Sequence, residues 1–359
     1  MAENTQLIWE VGTAYDLFTS LDVLHTPDRY GLRGSWAAGV RSRLPVEQRE
    51  MLQAVVKKSH IWTIPWLAGL EGVKDSQTIM DRIAEIPASH RLPTFAGCYL
   101  SDNVREFLLS IMERGSWNEQ DKGTLKEFYK EMYRKEGKKK KKIPDDELEQ
   151  TLTIWANAEE YGEGYLKGLE TYYEVFFAEE ERRIRPALEE TLEVSQALAK
   201  DMPLEDLLNQ LSQGLRYDFE GTDEMKELLM VPSFWTTPLT LFSTVGEGNE
   251  RWIFMYGGRP ASMSLVPGDV VPELLHQTLK ALADPTRLRI LKYLAEEPLT
   301  PAELARRLRL RPPTVIHHLD SLRLARLVHV TLSHHGRRYE ARREAIDDAC
   351  GLLGEFLDS

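Results

Sequence analysis

The spacing of apolar positions changes character along the chain. From residue 5 to 58 apolar side chains recur three and four apart, as in "YDLFTSLDVL", and predict two or three amphipathic helices. The same period predicts helices over 76–86 and 103–135, and a long helical stretch over 148–200. Gly162, Gly164 and Gly168 loosen that stretch, and Pro186 is expected to kink or divide it. Its Tyr172, Tyr173, Phe176 and Phe177 read as a core stripe. "MPLEDLLNQLSQG" predicts a short helix between Pro203 and Gly214. Then "ELLMVPSFW", "PLTLFSTV" and "RWIFMYG" follow, short runs rich in β-branched and aromatic residues, separated by Pro and Gly. They predict a small antiparallel sheet closing a first domain. "GGRPASMSLVPGDVVP" (257–272) has the composition of a boundary.

Beyond it the punctuation is explicit. One helix is expected to end near Ala283, and a second to start with Asp284 as cap and Pro285 in its first turn, with Leu288, Leu291 and Leu294 along its apolar edge. "LTPAELARRLRL" adds a third, with Thr300 and Glu303 placed for a reciprocal capping box. After a turn of about three residues, Val315, Leu319 and Leu322 share one face of a helix over 312–325. His317 points away from that face, with Pro313 beside it, Thr314 and Ile316 on the flanks, and His318 nearer the core. Two helices joined by a tight turn, the second showing polar residues outward, make a helix-turn-helix. "LVHVTLSHHGRRYEAR" then predicts a hairpin over 328–341 with Arg337 and Arg338 at its tip.

Composition sharpens this. The chain has 359 residues, 42% hydrophobic and 28% charged, enough for two domains. Only two cysteines occur, Cys98 and Cys350, a usage that fits a reducing compartment, and Cys350 is expected to be buried as a small apolar residue. The first ten residues show no basic stretch of the kind that opens a secretory signal, and no apolar run is long enough for a membrane helix. A cytoplasmic protein is expected. The net charge of -12 is unevenly spread: residues 271–359 hold 14 Lys and Arg against 12 Asp and Glu, whereas residues 1–270 hold 31 against 45. Within 301–343, ten arginines face only Glu303, Asp320 and Glu340, and five of the nine histidines (317, 318, 329, 334 and 335) lie in the same window. A basic segment on an acidic protein marks where an anion docks. The run "GKKKKK" reads as a solvated loop over 137–147.

Residues 272–359 resemble the winged helix-turn-helix domain of ArsR-type bacterial regulators, on "LKALADPTRLRILKYL", "TPAELARRL", "TVIHHLDSLRLARLV" and "GRRYEAR". The resemblance implies a homodimer that places its second helix in the major groove of double-stranded DNA and its wing over the adjacent backbone or minor groove. Arg311, Ile316 and Arg326 depart from the pattern, which commonly has Ser, Ser and Gly there, so the target sequence stays open and the cap at Arg326 is strained or differently built. The paired cysteines and terminal histidines of the metal-sensing members are missing, so no metal or other cofactor is expected.

The resulting expectation is a mainly α chain with small β elements. A large helical N-terminal domain (1–268), regulatory or oligomerising, ends in a short antiparallel sheet, and a winged helix (269–359) follows. Arg311, Pro313, Thr314, Ile316, His317, His318, Arg337 and Arg338 are the candidate DNA contacts. A small-molecule effector is a candidate partner of the N-terminal domain. The opposing readings are an enzyme, or a protein-interaction protein, whose N-terminal domain carries the activity and whose winged helix is accessory. No P-loop, dinucleotide fingerprint, H-E-x-x-H or G-x-S-x-G supports the enzyme.

Overall fold

Apolar residues placed on every side of a helix require that helix to be central, and α1 (Thr13–His25) is buried along almost its whole length. The computed structural model describes residues 5–32, 34–58, 62–98, 100–135, 143–217, 224–246, 248–266, 271–333 and 336–358. Around α1 lie α2 (Gly34–Arg41), α3 (Val46–Leu52), α4 (Ile64–Gly69), α5 (Ser76–Glu85) and α6 (Ala88–Gly97). A side cluster joins α7 (Asp102–Arg114), α8 (Glu119–Lys135) and α9 (Asp145–Ala156) through Leu108, Ile111, Leu125, Leu148, Leu152 and Trp155. The lysine run lies outside the described residues, and α9 already begins at Asp145. α10 (Ala158–Tyr172), a π-helical turn (Tyr173–Phe177), α11 (Ala178–Asp201) and α12 (Leu204–Leu211) complete this part. Pro186 does not divide α11; the helix runs on through it.

The sheet differs from its expected form. It is mixed, not antiparallel, with β1 (Gln6–Trp9), β3 (Glu227–Ser233), β5 (Arg251–Gly257) and β4 (Leu241–Thr244) in the order β1-β3-β5-β4. β1 runs parallel to β3 and β3 to β5; only β4 and β5 are antiparallel. Residues 6–9, which the apolar spacing assigns to helix, are therefore a strand. The physical reason lies in the central runs, which are apolar at consecutive positions because both faces are covered. Leu229, Val231, Ile253 and Met255 enter the core around α1, while Leu228, Met230, Phe254 and Tyr256 pack against Leu207 and Leu208 of α12. At the end of β3, Asp16 of α1 accepts hydrogen bonds from Ser233 Oγ (2.7 Å) and the Trp235 amide (2.8 Å).

The C-terminal part has its own core, built by α13 (Glu273–Leu282), α14 (Pro285–Leu294), α15 (Pro301–Leu308), α16 (Pro312–Leu324), the hairpin β6 (Val328–Ser333) and β7 (Gly336–Ala341), and α17 (Glu344–Asp358). This is the helix order and terminal hairpin of a winged helix-turn-helix. In α14 the inward face uses Ile290 with Leu291 and Leu294, and Leu288 is turned out, 49% exposed. Cys350 is exposed rather than buried, because α17 turns Ala345 and Leu352 inward and Cys350 lies off that face.

The two parts share a sheet. β2 (Leu215–Tyr217), from the N-terminal side of the expected boundary, pairs in parallel with β6, giving the order β2-β6-β7. Gly214 has φ 118° and its carbonyl accepts from the Val330 amide at 2.7 Å; a Cβ there would meet the Val328 carbonyl oxygen at 2.9 Å. Only glycine admits both the dihedral and the approach. Arg259 and Glu273, nearly covered, join at 2.7 Å across the same junction, and Arg216 meets Glu340 at 2.7 Å.

Candidate nucleic-acid interface

Helix caps set the angle of the presented helix. Asp284 caps α14 by accepting from the Arg287 amide at 2.9 Å. Thr300 and Glu303 close a full capping box on α15, with the Glu303 amide 3.3 Å from Thr300 Oγ1 and the Thr300 amide 2.8 Å from Glu303 Oε2. Arg309 ends α15 in the left-handed region at φ 56°, and the chain re-enters helix at Pro312. The turn is thus Arg309, Leu310 and Arg311.

Arg311 occupies the cap position of α16 without a side-chain cap bond. That deficiency costs little here. A helix start normally leaves four amide N–H groups unpaired, but Pro312 and Pro313 have none, and the Thr314 and Val315 amides reach the Arg311 carbonyl at 3.0 and 3.2 Å. The same economy removes the backbone donors with which a helix start usually holds a phosphate. Anion contacts at this end fall to side chains.

Val315, Leu319 and Leu322 are fully buried, and they fix α16 against the domain. Pro313, Thr314 and His317 are exposed, as is Ile316 at 46%. His318 takes a different place: its side chain is mostly covered and its Nδ1 lies 3.8 Å from Asp284 Oδ1, facing the cap of α14. Burial lowers its pKa below the usual imidazole value, against the pull of Asp284. Of the five residues 313, 314 and 316–318, the structure therefore brings the first four onto one open face.

In the wing, Leu332 pairs with Arg337 and Thr331 with Arg338. Both arginines are exposed. The Arg337 side chain has no hydrogen bond or ion pair among the described residues, whereas Arg338 donates to the Pro298 carbonyl at 2.9 Å and lies 4.0 Å from Glu303. His334 and His335 fall outside the described residues. Sequence reading passed over Arg306 and Arg309, both exposed, at the end of α15 and in the turn, and neither has an ion pair among the described residues. The signal available was position: Arg309 comes just after a helix end and Arg306 lies in the last turn before it. Arg326 is in the left-handed region at φ 57°, the strained cap foreseen from the missing glycine.

Residues 284–330 match the family model described as "Bacterial regulatory protein, arsR family". The region is an arsR-family domain. At the level of the family it is the DNA-binding part of a bacterial regulator, and it carries the helix-turn-helix but stops short of β7 and α17. No curated protein and no solved structure matches the chain. Among the described residues, no helix is long and apolar enough to cross a membrane.

Proposed function

We propose that the chain is a cytoplasmic, sequence-specific transcriptional regulator that binds double-stranded DNA as a homodimer, and that it is not an enzyme. The observation that carries this reading is the open face of α16, with Pro313, Thr314, Ile316 and His317 free of the core, flanked by Arg306, Arg309 and Arg337, whose side chains have no ion pair among the described residues. The helix face would read base edges in the major groove, Ile316 against thymine methyls and His317 by hydrogen bonding, while the arginines neutralise phosphates. The dimer would use the exposed Leu279 and Leu357, 45% and 72% accessible, together with Leu353 and Phe356. Leu275 of α13 is buried within its own chain and is not available to a partner.

The N-terminal region supplies a place for an effector. A cavity of about 600 Å³ is walled by Phe18, Tyr30, Trp62, Tyr165, Leu239 and Met255, with Asp22 and Arg29 among its few charged groups. That size, with aromatic walls broken by Thr19, Thr63, Thr236 and Thr240, suits a small molecule with both apolar and polar faces.

The test is selection of duplexes from a random pool by the full chain, followed by sequencing. Enrichment of an inverted repeat is the expected result. A pool that stays random while the protein still retains duplex would reduce the reading to non-specific binding, and no retention would remove it.

A further inference from the structure

A second cavity, of about 660 Å³, lies at the junction of the two parts. Its walls come from Gln213 and Ala261 on the N-terminal side, Leu274 and Thr278 of α13, Arg326 of the α16–β6 turn, and α17. Arg326 is unusual there. The other cations of the junction are matched, Arg259 by Glu273 at 2.7 Å and Arg342 by Glu344 at 3.1 Å. The Arg326 side chain has no hydrogen bond or ion pair among the described residues, and its Nε is buried without a partner. Gln213 Oε1 is likewise buried without a donor. The acids of α17 that line the cavity, Asp347, Asp348 and Glu355, are exposed and make no ion pair with Arg326 among the described residues.

A half-buried guanidinium whose Nε is covered and which has no counterion is costly. Its backbone is also held at a positive φ that glycine or asparagine would adopt more easily. Burial and the neighbouring charges of Arg259 and Arg342 press its pKa down to about 9, still leaving it a cation at neutral pH. A cation kept at such expense beside an open cavity is suited to an anion from solution.

We propose that this junction cavity binds a small oxyanion, a carboxylate or phosphate, whose oxygens accept from the Arg326 guanidinium and whose hydroxyl, where it has one, donates to Gln213 Oε1. Planar two-point recognition of an oxyanion is what a guanidinium does best. The occupant would touch the turn that follows α16 and the α13 helix together, so it would bind the two parts of the chain to each other. The site is distinct from the cavity beside α1, and its existence does not depend on DNA being the partner.

The experiment uses the full chain without DNA. Melting is followed while citrate or inorganic phosphate is added, each against sodium chloride at equal ionic strength. The expected result is a saturable rise of about 2–4 °C at tenfold over half-saturation with at least one of the two probes, and which probe acts separates the carboxylate from the phosphate. Arg326→Asn removes the charge and suits the backbone. It should melt higher than the parent without probe and lose the saturable rise. Leu274→Trp fills the cavity with Arg326 in place and should abolish the response as well, which keeps the test decisive should Arg326→Asn fail to fold. A rise that is linear in both probes, or equal in parent and Leu274→Trp, overturns the site. So does an Arg326→Asn protein that folds but melts below the parent, since Arg326 would then be a structural group.

Discussion

Asp16 sits wholly inside the N-terminal core, and burial raises its pKa to about 6 even though Ser233 and the Trp235 amide hydrogen-bond its Oδ1. Its Oδ2 is buried without a partner. In the unfolded chain the group titrates near pH 4. Below that pH it is protonated in both states and contributes its full stability. Between about pH 4 and 6 the unfolded chain releases the proton first, so stability falls as pH rises. Above pH 6 the ionised group costs about 2–3 kcal/mol. Asp16→Asn should flatten the stability curve between pH 4 and 6 and raise the urea midpoint at pH 7.5. An equal loss at every pH would show that the carboxylate itself is needed. At the proposed DNA face, His317→Ala and Ile316→Ser should change which duplex is preferred, because both side chains stand on the open side of α16. Arg337→Ala with Arg338→Ala should weaken all duplexes alike and make the salt slope shallower by about 1 for each lost phosphate contact. Competition among sequence variants distinguishes the two outcomes, and a wing change that altered preference would reverse the assignment. His318 shows the limit of a helical wheel. It lies one turn from Val315 and Leu322, on the border of the buried face, and only the neighbouring cap of α14 decides that it turns inward.

Helices with local punctuation were legible from residues alone. Asp284, Pro285, Thr300, Glu303 and the two prolines of α16 each act within one turn, so the winged helix could be drawn to within a residue or two before any tertiary contact was known. The elements that escaped have partners remote in sequence. β1 is a four-residue run whose only strand signal is its pairing with Glu227–Met230. β2 has three residues and is defined by the wing. The antiparallel expectation failed for the same reason: short apolar runs close in sequence suggest hairpins, and nothing local reveals that β1 and β5 flank β3. Gly214 is the point at which β2 can be tested. Gly214→Val forces a side chain toward the Val328 carbonyl and into an unfavourable φ, so the β2–β6 pair should open. The Val330 amide is expected to exchange at least about tenfold faster while β5 amides keep their protection. Unchanged exchange at Val330 would mean that the wing does not depend on β2.

Charge is divided across the whole molecule, with the acidic excess before residue 271 and the arginines gathered at one end. An acidic body is repelled by a duplex, so it is expected on the side away from DNA, and binding should be dominated by counterion release. With 6–10 phosphate contacts in a dimer, affinity should fall about 10³–10⁵-fold between 50 and 200 mM salt. A flat salt titration would remove the electrostatic basis of the proposed function. Two recognition helices about 34–36 Å apart would protect an inverted repeat of matching spacing. Leu279→Asp with Leu357→Asp should turn the dimer into a monomer by light scattering and halve that footprint; a wild-type chain that is already monomeric at micromolar concentration would exclude the arrangement. The strand shared between the two parts also has a consequence for synthesis. A ribosome releases Leu215–Tyr217 long before β6 exists, and at about 5–20 residues per second the edge waits on the order of ten seconds for its partner. The winged helix cannot close until residues 328–341 have emerged, well after those of the body. A nascent chain caught earlier offers a bare strand edge that a neighbouring chain's β6 can take, and crowded polysomes are where exchanged dimers of this protein would first form.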